Sequence, residues 1–203
     1  MIPAGEMWDR RFAEHGWPTE PDPLLVELAT ALPPGRALDV GSGPGRNSLW
    51  LAARGWEVTA ADASQVALAQ ASQRAEALGV RLETVHVDVT DWQPVRAAYD
   101  LVVVANLHPG AAALASVLVA AADALVAGGH LFVVGHDLAN LGVHGPPDAA
   151  QLFSVERLAA AMPPAVSIQL LERRIRPPDA AALDDAGPGR EDVAVLAWAT
   201  KSP

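Results

Sequence analysis

The chain has 203 residues, 51% apolar and 19% charged, with a formal net charge of −10 and no cysteine. That length predicts one domain able to bury a sizeable core, and a mean hydropathy of +0.18 excludes an acidic disordered chain, which could not offset its ordering entropy. Fourteen Lys and Arg against 24 Asp and Glu argue against nucleic acid or an anionic membrane as partner, since both attract cationic proteins.

The missing cysteines remove disulfides, a thiol nucleophile and thiolate-bound zinc. Residues 1–10 (MIPAGEMWDR) carry charges where a secretory leader has an apolar run. The longest apolar stretch, 110–127, is broken by Ser116 and Asp123 and reads as a packed helix. A soluble, cytoplasmic protein is expected.

Along the chain, Trp8, Phe12 and Trp17 come first, interleaved with Asp9, Arg10, Arg11 and Glu14. Aromatics in a terminal segment call for a docking surface, which predicts that residues 1–22 form a lid; plain packing on the domain is the alternative. His15 reaches a site only if that segment folds over it. The main domain, 23–203, opens with a helix over 23–32 that Pro33-Pro34-Gly35 ends. Runs rich in β-formers then recur at 36–40, 56–61, 81–87, 100–105 and 130–135. Helical spacing of apolar residues fills 47–54, 64–78 and 111–126, with Ser64 as an N-cap, Gly79 as a stop and Gly128-Gly129 closing the third.

Strict alternation of strand and helix predicts a doubly wound, mostly parallel α/β sheet of seven strands. After Gly135 the pattern changes to a polar loop over 137–152, a helix near 155–162 and two strands at 165–175 and 192–200. No crossover helix separates that last pair, so an antiparallel C-terminal hairpin is expected. The Pro/Asp/Ala/Gly-rich residues 177–189 between them read as a mobile loop.

The segment Asp39-Val40-Gly41-Ser42-Gly43-Pro44-Gly45-Arg46-Asn47 leaves a strand and enters a helix, the setting in which a glycine loop has meaning. Alternate glycines permit a tight turn with a ligand lying against the backbone. Asp62 ends the second strand, where an acid can accept hydrogen bonds from ribose hydroxyls. A nicotinamide fold uses similar parts, but here the third glycine comes one position early and Arg46 fills the last slot of that fingerprint. Asp39 is also unfavourable beside a pyrophosphate and suits a ligand carrying an ammonium group. Both features point to S-adenosylmethionine and away from a nicotinamide oxidoreductase.

The run ALDVGSGPGRN (37–47) resembles motif I of the class I S-adenosylmethionine-dependent methyltransferases. VTAAD (58–62) resembles their ribose motif, HVDVTDW (86–92) the adenine motif and YDLVVVAN (99–106) motif IV; residues 125–134 resemble the helix-to-strand turn that follows. The resemblance implies a cofactor site at Trp8, Asp39, Gly41, Ser42, Gly43, Arg46, Asn47, Asp62, Ala63, Asp88, Val89 and Asn106, with Asp88 receiving the adenine amino group. GRNSLWLAARG (45–55), GHD (135–137), GPPD (145–148) and MWDRRF (7–12) are similar to the tellurite-resistance-like and thiopurine-like small-molecule branch. Two departures stand out. Ser42 occupies a position where motif I commonly has Cys, and NLHPG (106–110) replaces an aromatic or apolar run.

Methyl transfer from a sulfonium is mainly a matter of positioning, with a base needed only for a nucleophile that carries a proton. Acceptor groups are expected above the carboxyl ends of the strands. His108 and His136 are the candidate bases, and Asp137 is expected to orient a histidine or receive a proton; loop shaping is the alternative for each. His136, Asp137 and His144 lack the spacing of a metal site, so no metal is expected. His86 and His130 fall on strands and read as structural, as do Trp50 and Trp56. Arg173, Arg174 and Arg176 read as a solvated face balancing Asp179, Asp184 and Asp185.

The expected function is methyl transfer to a small-molecule acceptor through O, N or S, by a monomer or homodimer, in a bacterium of high-GC composition. Detoxifying methylation of a thiol or chalcogen oxyanion is one alternative, and a cofactor-binding protein without transfer activity is another.

Overall fold

A computed structural model describes residues 4–176 and 191–203, so the loop expected at 177–189 lies outside the described residues. Its elements are α1 (Ala4–Glu14), α2 (Pro23–Ala29), β1 (Arg36–Val40), α3 (Arg46–Ala52), β2 (Glu57–Asp62), α4 (Gln65–Leu78) and β3 (Glu83–His86). There follow β4 (Tyr99–Ala105), α5 (Ala111–Ala124), β5 (Leu125–His136), α6 (Val155–Ala161), β6 (Val166–Arg176) and β7 (Asp192–Lys201).

Seven strands form one sheet in the order β3-β2-β1-β4-β5-β7-β6. β1 to β5 pair in parallel, while β7 runs antiparallel to both β5 and β6. The doubly wound reading and the antiparallel terminal pair both hold. β7 inserts between β5 and β6, and the residues say why. Its VAVLAWA run is almost wholly buried, whereas β6 carries Glu172, Arg173, Arg174 and Arg176, the charges that keep an edge strand from pairing further.

Alternation along each central strand sends neighbours to opposite faces. Leu38, Val40, Val102, Val104, Leu131 and Val133 meet α5 and α6 on one side. Ala37, Leu101, Val103, Phe132 and Val134 meet α2, Leu51 of α3 and Trp56 on the other. Trp56 is core as expected, while Trp50 is half-buried beneath the Arg54 guanidinium at 4.4 Å. His130 stacks on Trp198 at 4.9 Å, consistent with a structural role.

Helix ends follow local chemistry. The Ser64 side chain accepts from the Ala67 N–H and Gly79 ends α4 in the left-handed region, both as the sequence predicts. Some helix ends differ: α2 stops at Ala29, short of the expected 32, and α5 also ends early. α5 stops at Ala124, and Leu125 is already extended and pairs with Tyr99, so Gly128-Gly129 lies within β5, where the pairing shifts register between Leu125 and His130, and is not the cap of a helix. Among the described residues no helix is long and apolar enough to cross a membrane.

Candidate functional site

The strand order reverses between β1 and β4, and in open α/β sheets the crevice outside such a switch point is where ligands sit. One wall is the loop after β1. Gly41, Gly43 and Gly45 all adopt positive φ (70°, 53° and 81°), which a side chain would strain. The opposite wall is the loop after β4, whose Leu107 lies so near Gly41 that a Cβ there would stand 3.0 Å from its Cδ1.

Asp62 holds this loop in place. One carboxylate oxygen accepts the Gly43 N–H at 2.8 Å and the other accepts the Ser64 N–H at 2.8 Å. Burial raises the Asp62 carboxyl, and these backbone N–H groups oppose the rise. Asp39 lies deeper, 1% exposed, with the Ser48 hydroxyl donating to it at 2.6 Å. Burial pushes its carboxyl up to about 6; Ser48 opposes this and the neighbouring Asp62 adds to it. Two buried acids beneath one glycine loop repel a pyrophosphate and favour a ligand with positive charge. A sulfonium with an ammonium-bearing tail fits that donor set, and the glycine backbone leaves room for it.

The remaining cofactor candidates take several positions. Val89 is buried, and Asp88 is exposed with one oxygen accepting from the Thr90 N–H and hydroxyl at 3.0 and 2.7 Å. The Ala63 carbonyl lies 3.0 Å from His86 Nε2 and directly against α1, where a Cβ on Gly5 would come within 2.6 Å of it. Ser42 is half-buried at the loop. Asn47 turns away from the loop and accepts the Asp22 N–H at 2.9 Å. Arg46 reaches the Asp22 carboxylate at 3.6 Å.

The N-terminal helix lies on this end of the domain. Asp9 accepts from the Ser64 hydroxyl at 2.6 Å and from the Val66 N–H at 3.0 Å, which fixes α1 to the start of α4. Phe12 is buried with its ring over Gly43, where a Cβ would stand 3.3 Å from it. Trp8 and Trp17 complete the aromatic cluster, at 5.6 and 4.7 Å from Phe12. His15 stays exposed and bonds only back to Arg11.

Beyond β4 and β5 lies a second, polar group of residues. Asn106 adopts φ 55°, and its side-chain oxygen accepts from Arg176 at 2.8 Å. His108 is held at both nitrogens, with Nδ1 donating to the Gln151 carbonyl at 2.8 Å and Nε2 accepting the His136 N–H at 3.3 Å. Burial pushes the His108 imidazole down to about 4. His136 places Nδ1 3.2 Å from a carboxylate, but that carboxylate belongs to Asp192. Asp137, expected to orient a histidine, instead accepts the Ala139 N–H at 2.8 Å and pairs with Arg173 at 2.9 Å. Its short turn at Leu138–Asn140 leaves those N–H groups needing an acceptor, and Asp137 is the nearest.

The reading of the arginine cluster also changes. Arg173 and Arg174 pair on the surface, with Asp137 and with Glu172 and Glu27. The Arg176 side chain is only 9% exposed and lies across the sheet top, 3.3 Å from Asp192 and 3.7 Å from Asp22. Asp22, Asn140, Arg176 and Asp192 are therefore the residues that sequence reasoning missed. Asp192 had a findable signal, since pairing β7 with β5 sets Ala194 opposite His136. Among the described residues no group of three or more His, Cys, Asp or Glu could hold a metal ion.

Comparison with known proteins matches residues 37–129 to the family described as Methyltransferase domain. No curated protein is similar to the chain in sequence. Among solved structures, one from work on the conversion of a disulfide bond into a thioacetal group during echinomycin biosynthesis is 20% identical, with TM-score 0.79, covering 98% of this chain and 92% of that one. TehB from Haemophilus influenzae is 18% identical, with TM-score 0.74, covering 98% and 67%. The N-methyltransferase NodS from Bradyrhizobium japonicum WM9, solved with S-adenosyl-L-homocysteine, is 17% identical, with TM-score 0.73, covering all of both chains. These likenesses confirm the fold, and the matched segment contains the glycine loop, both buried acids and the loop after β4. The match of residues 37–129 to a methyltransferase domain, together with the shared fold, supports an enzyme that transfers methyl groups, with S-adenosylmethionine as donor and S-adenosylhomocysteine as product.

Proposed function

We propose that this methyltransferase acts on a small-molecule acceptor seated over the carboxyl ends of β4 and β5. The single observation that carries the reading is the glycine loop at the switch point, tied to buried Asp62 and facing the loop of Asn106–His108 across one crevice. The net charge of −10 opposes nucleic acid as the acceptor.

S-adenosylmethionine, when bound, supplies an electrophilic methyl group, so the chain's own task is to position and to exclude water. Asp62 takes the ribose hydroxyls with its remaining lone pairs, and Asp88 with Val89 frames the adenine. Asp39 supplies negative charge for the ammonium end. Gly41, Ser42, Gly43 and Ala63 contribute backbone contacts, and Asn106 shapes the passage to the acceptor. Arg46 and Asn47 support the loop through Asp22. The segment 4–22 is the lid: α1 with Trp8 and Phe12 closes over the loop, and Asp9 is its latch on α4.

Isothermal titration with S-adenosylhomocysteine tests the reading, with NADH as control. Micromolar affinity that falls at least about 100-fold in Asp62→Ala is the expected result, since a buried charged acceptor for two hydroxyls is lost. Binding of NADH in its place, or full affinity in Asp62→Ala, would overturn it.

A further inference from the structure

His136 is held as a proton acceptor usually is. Its ring is clamped between His108, stacked at 5.5 Å, and the backbone of Gly145, where a Cβ would come within 2.7 Å of the imidazole. Gly145 can make that approach because it adopts φ 78°.

The tautomer of His136 follows from hydrogen-bond bookkeeping around Asn140. The Asn140 side-chain oxygen accepts the Val193 N–H at 3.0 Å, which fixes the orientation of the amide. Both of its N–H groups are then spent, on Asp192 at 2.6 Å and on the Val193 carbonyl at 2.9 Å. Asn140 thus has no proton left for His136 Nδ1, although the two nitrogens are 3.1 Å apart. The contact of Nδ1 with Asp192 at 3.2 Å requires that Nδ1 carry the proton and donate it. Nε2 is left with its lone pair. A histidine oriented by a carboxylate, with the far nitrogen free to take a proton, is the arrangement of a general base.

From this geometry we infer that His136 Nε2 accepts the proton of the methyl acceptor, that Asp192 is its positioning residue, and that the acceptor is a weakly acidic hydroxyl, a phenol or enol. This rests on the methyl-transfer reading above. A histidine base matches a hydroxyl of phenolic acidity, near pKa ~10, while a thiol ionises without such help. In the step, the acceptor O–H bond breaks with its proton passing to Nε2 while the oxygen forms the bond to the methyl carbon. The sulfur–methyl bond breaks with its electron pair going to sulfur, and the imidazolium afterwards loses its proton to water.

The charges around His136 are consistent with this. Asp192 faces it from β7, and the Arg176 guanidinium from β6 lies behind that carboxylate at 3.3 Å. His108, from the loop after β4, is the other titratable ring in contact. Asp137 turns its carboxylate to Ala139 and Arg173, and Gly145 brings no charge. Burial alone would raise Asp192, but the bond from His136, the Arg176 charge and Asn140 hold it well below the usual carboxylate range. It stays an anion throughout the working pH range.

The test uses the full chain, labelled with 15N at histidine and saturated with S-adenosylhomocysteine, with the His136 resonances assigned by His136→Gln. Long-range 1H–15N correlation should show the proton of the neutral ring on Nδ1, and Asp192→Asn should mix in the Nε2–H form. Turnover of para-substituted phenols, followed by S-adenosylhomocysteine release, should lose about tenfold in kcat in Asp192→Asn with KM little changed. In His136→Gln that turnover should fall by about 100-fold, while matched thiophenols lose little. A proton on Nε2 of the neutral ring, a kcat that ignores Asp192→Asn, or phenol turnover unaffected by His136→Gln would overturn the assignment. Silence across the phenols in protein that binds S-adenosylhomocysteine overturns the acceptor class. Failure of the wild type to bind S-adenosylhomocysteine would instead strike at methyl transfer itself and leave the tautomer result standing.

Discussion

The crevice has two sides built in different ways. The glycine-loop side, proposed for the cofactor, is built within 39–64, where Asp39 meets Ser48 and Asp62 meets Gly43 and Ser64. The side proposed for the acceptor is assembled from afar, with Arg176 meeting Asn106 across 70 residues and His136 meeting Asp192 across 56. The first is a local backbone device that a short motif can encode. The second is a network of charges, stable only when every member arrives. Perturbing the two sides should therefore give different kinds of damage.

Asp22 links them and should show the largest stability effect. Its carboxylate is 1% exposed, lies 3.6 and 3.7 Å from Arg46 and Arg176, and also accepts the Leu24 N–H at the start of α2. Asp22→Asn keeps the helix cap but removes the charge between two guanidinium groups. Urea denaturation should show a loss of about 3–4 kcal/mol, the cost of removing the buried carboxylate that lies between the two guanidinium groups. An unchanged midpoint would mean that the two sides fold independently of this link.

The sides also respond to pH with opposite sign. Asp39 has its carboxyl raised from 3.8 to about 6, so the folded state binds more proton than the unfolded one in that window. Its contribution to stability is present at low pH and lost as pH rises through 6. His108 has its imidazole lowered from 6.5 to about 4, so its contribution is present above 6.5 and lost as pH falls through 4. Each is worth about 3 kcal/mol, and they largely cancel between pH 4 and 6. Asp39→Asn should expose the His108 slope, with stability climbing as pH rises, and His108→Asn should expose the reverse. Parallel profiles for the two variants would refute both assignments.

A smaller effect separates loop geometry from loop charge. Gly43→Ala places a side chain at φ 53° and 3.3 Å from Phe12. Strain of about 1–2 kcal/mol is expected, together with easier proteolysis near α1, because Phe12 must shift to make room. Unchanged proteolysis would detach α1 from the glycine loop. The smallest effect belongs far from both sides, at the surface pair of Arg96 and Asp123, 3.0 Å apart with Arg96 77% exposed. Arg96→Ala should cost less than about 0.5 kcal/mol, and a larger loss would show that stability is not concentrated at the crevice.

The legible parts of the molecule share a physical character. Residues 36–47 announce a strand, a glycine turn and a helix because β-propensity, positive φ and helix spacing are properties of contiguous residues. The acids at 39 and 62 could be read because their places relative to the glycines and the strand end are fixed by the backbone. Arg176 was read as solvated because three arginines in a row of charges look like an exposed edge, and two of them are. Asp137 adjoins His136 and was expected to orient a histidine, yet it caps the turn that follows β5 and its carboxylate goes to the Ala139 N–H.

Alone, then, the sequence determined the alternating fold, the glycine loop and the acids at the strand ends beside it, since each follows from the backbone of a short segment. Tertiary structure decided which carboxylate meets His136, where Arg176 lies, and that β7 inserts beside β5. Those outcomes depend on strand order and on charges brought together across more than fifty residues, and no local periodicity encodes them.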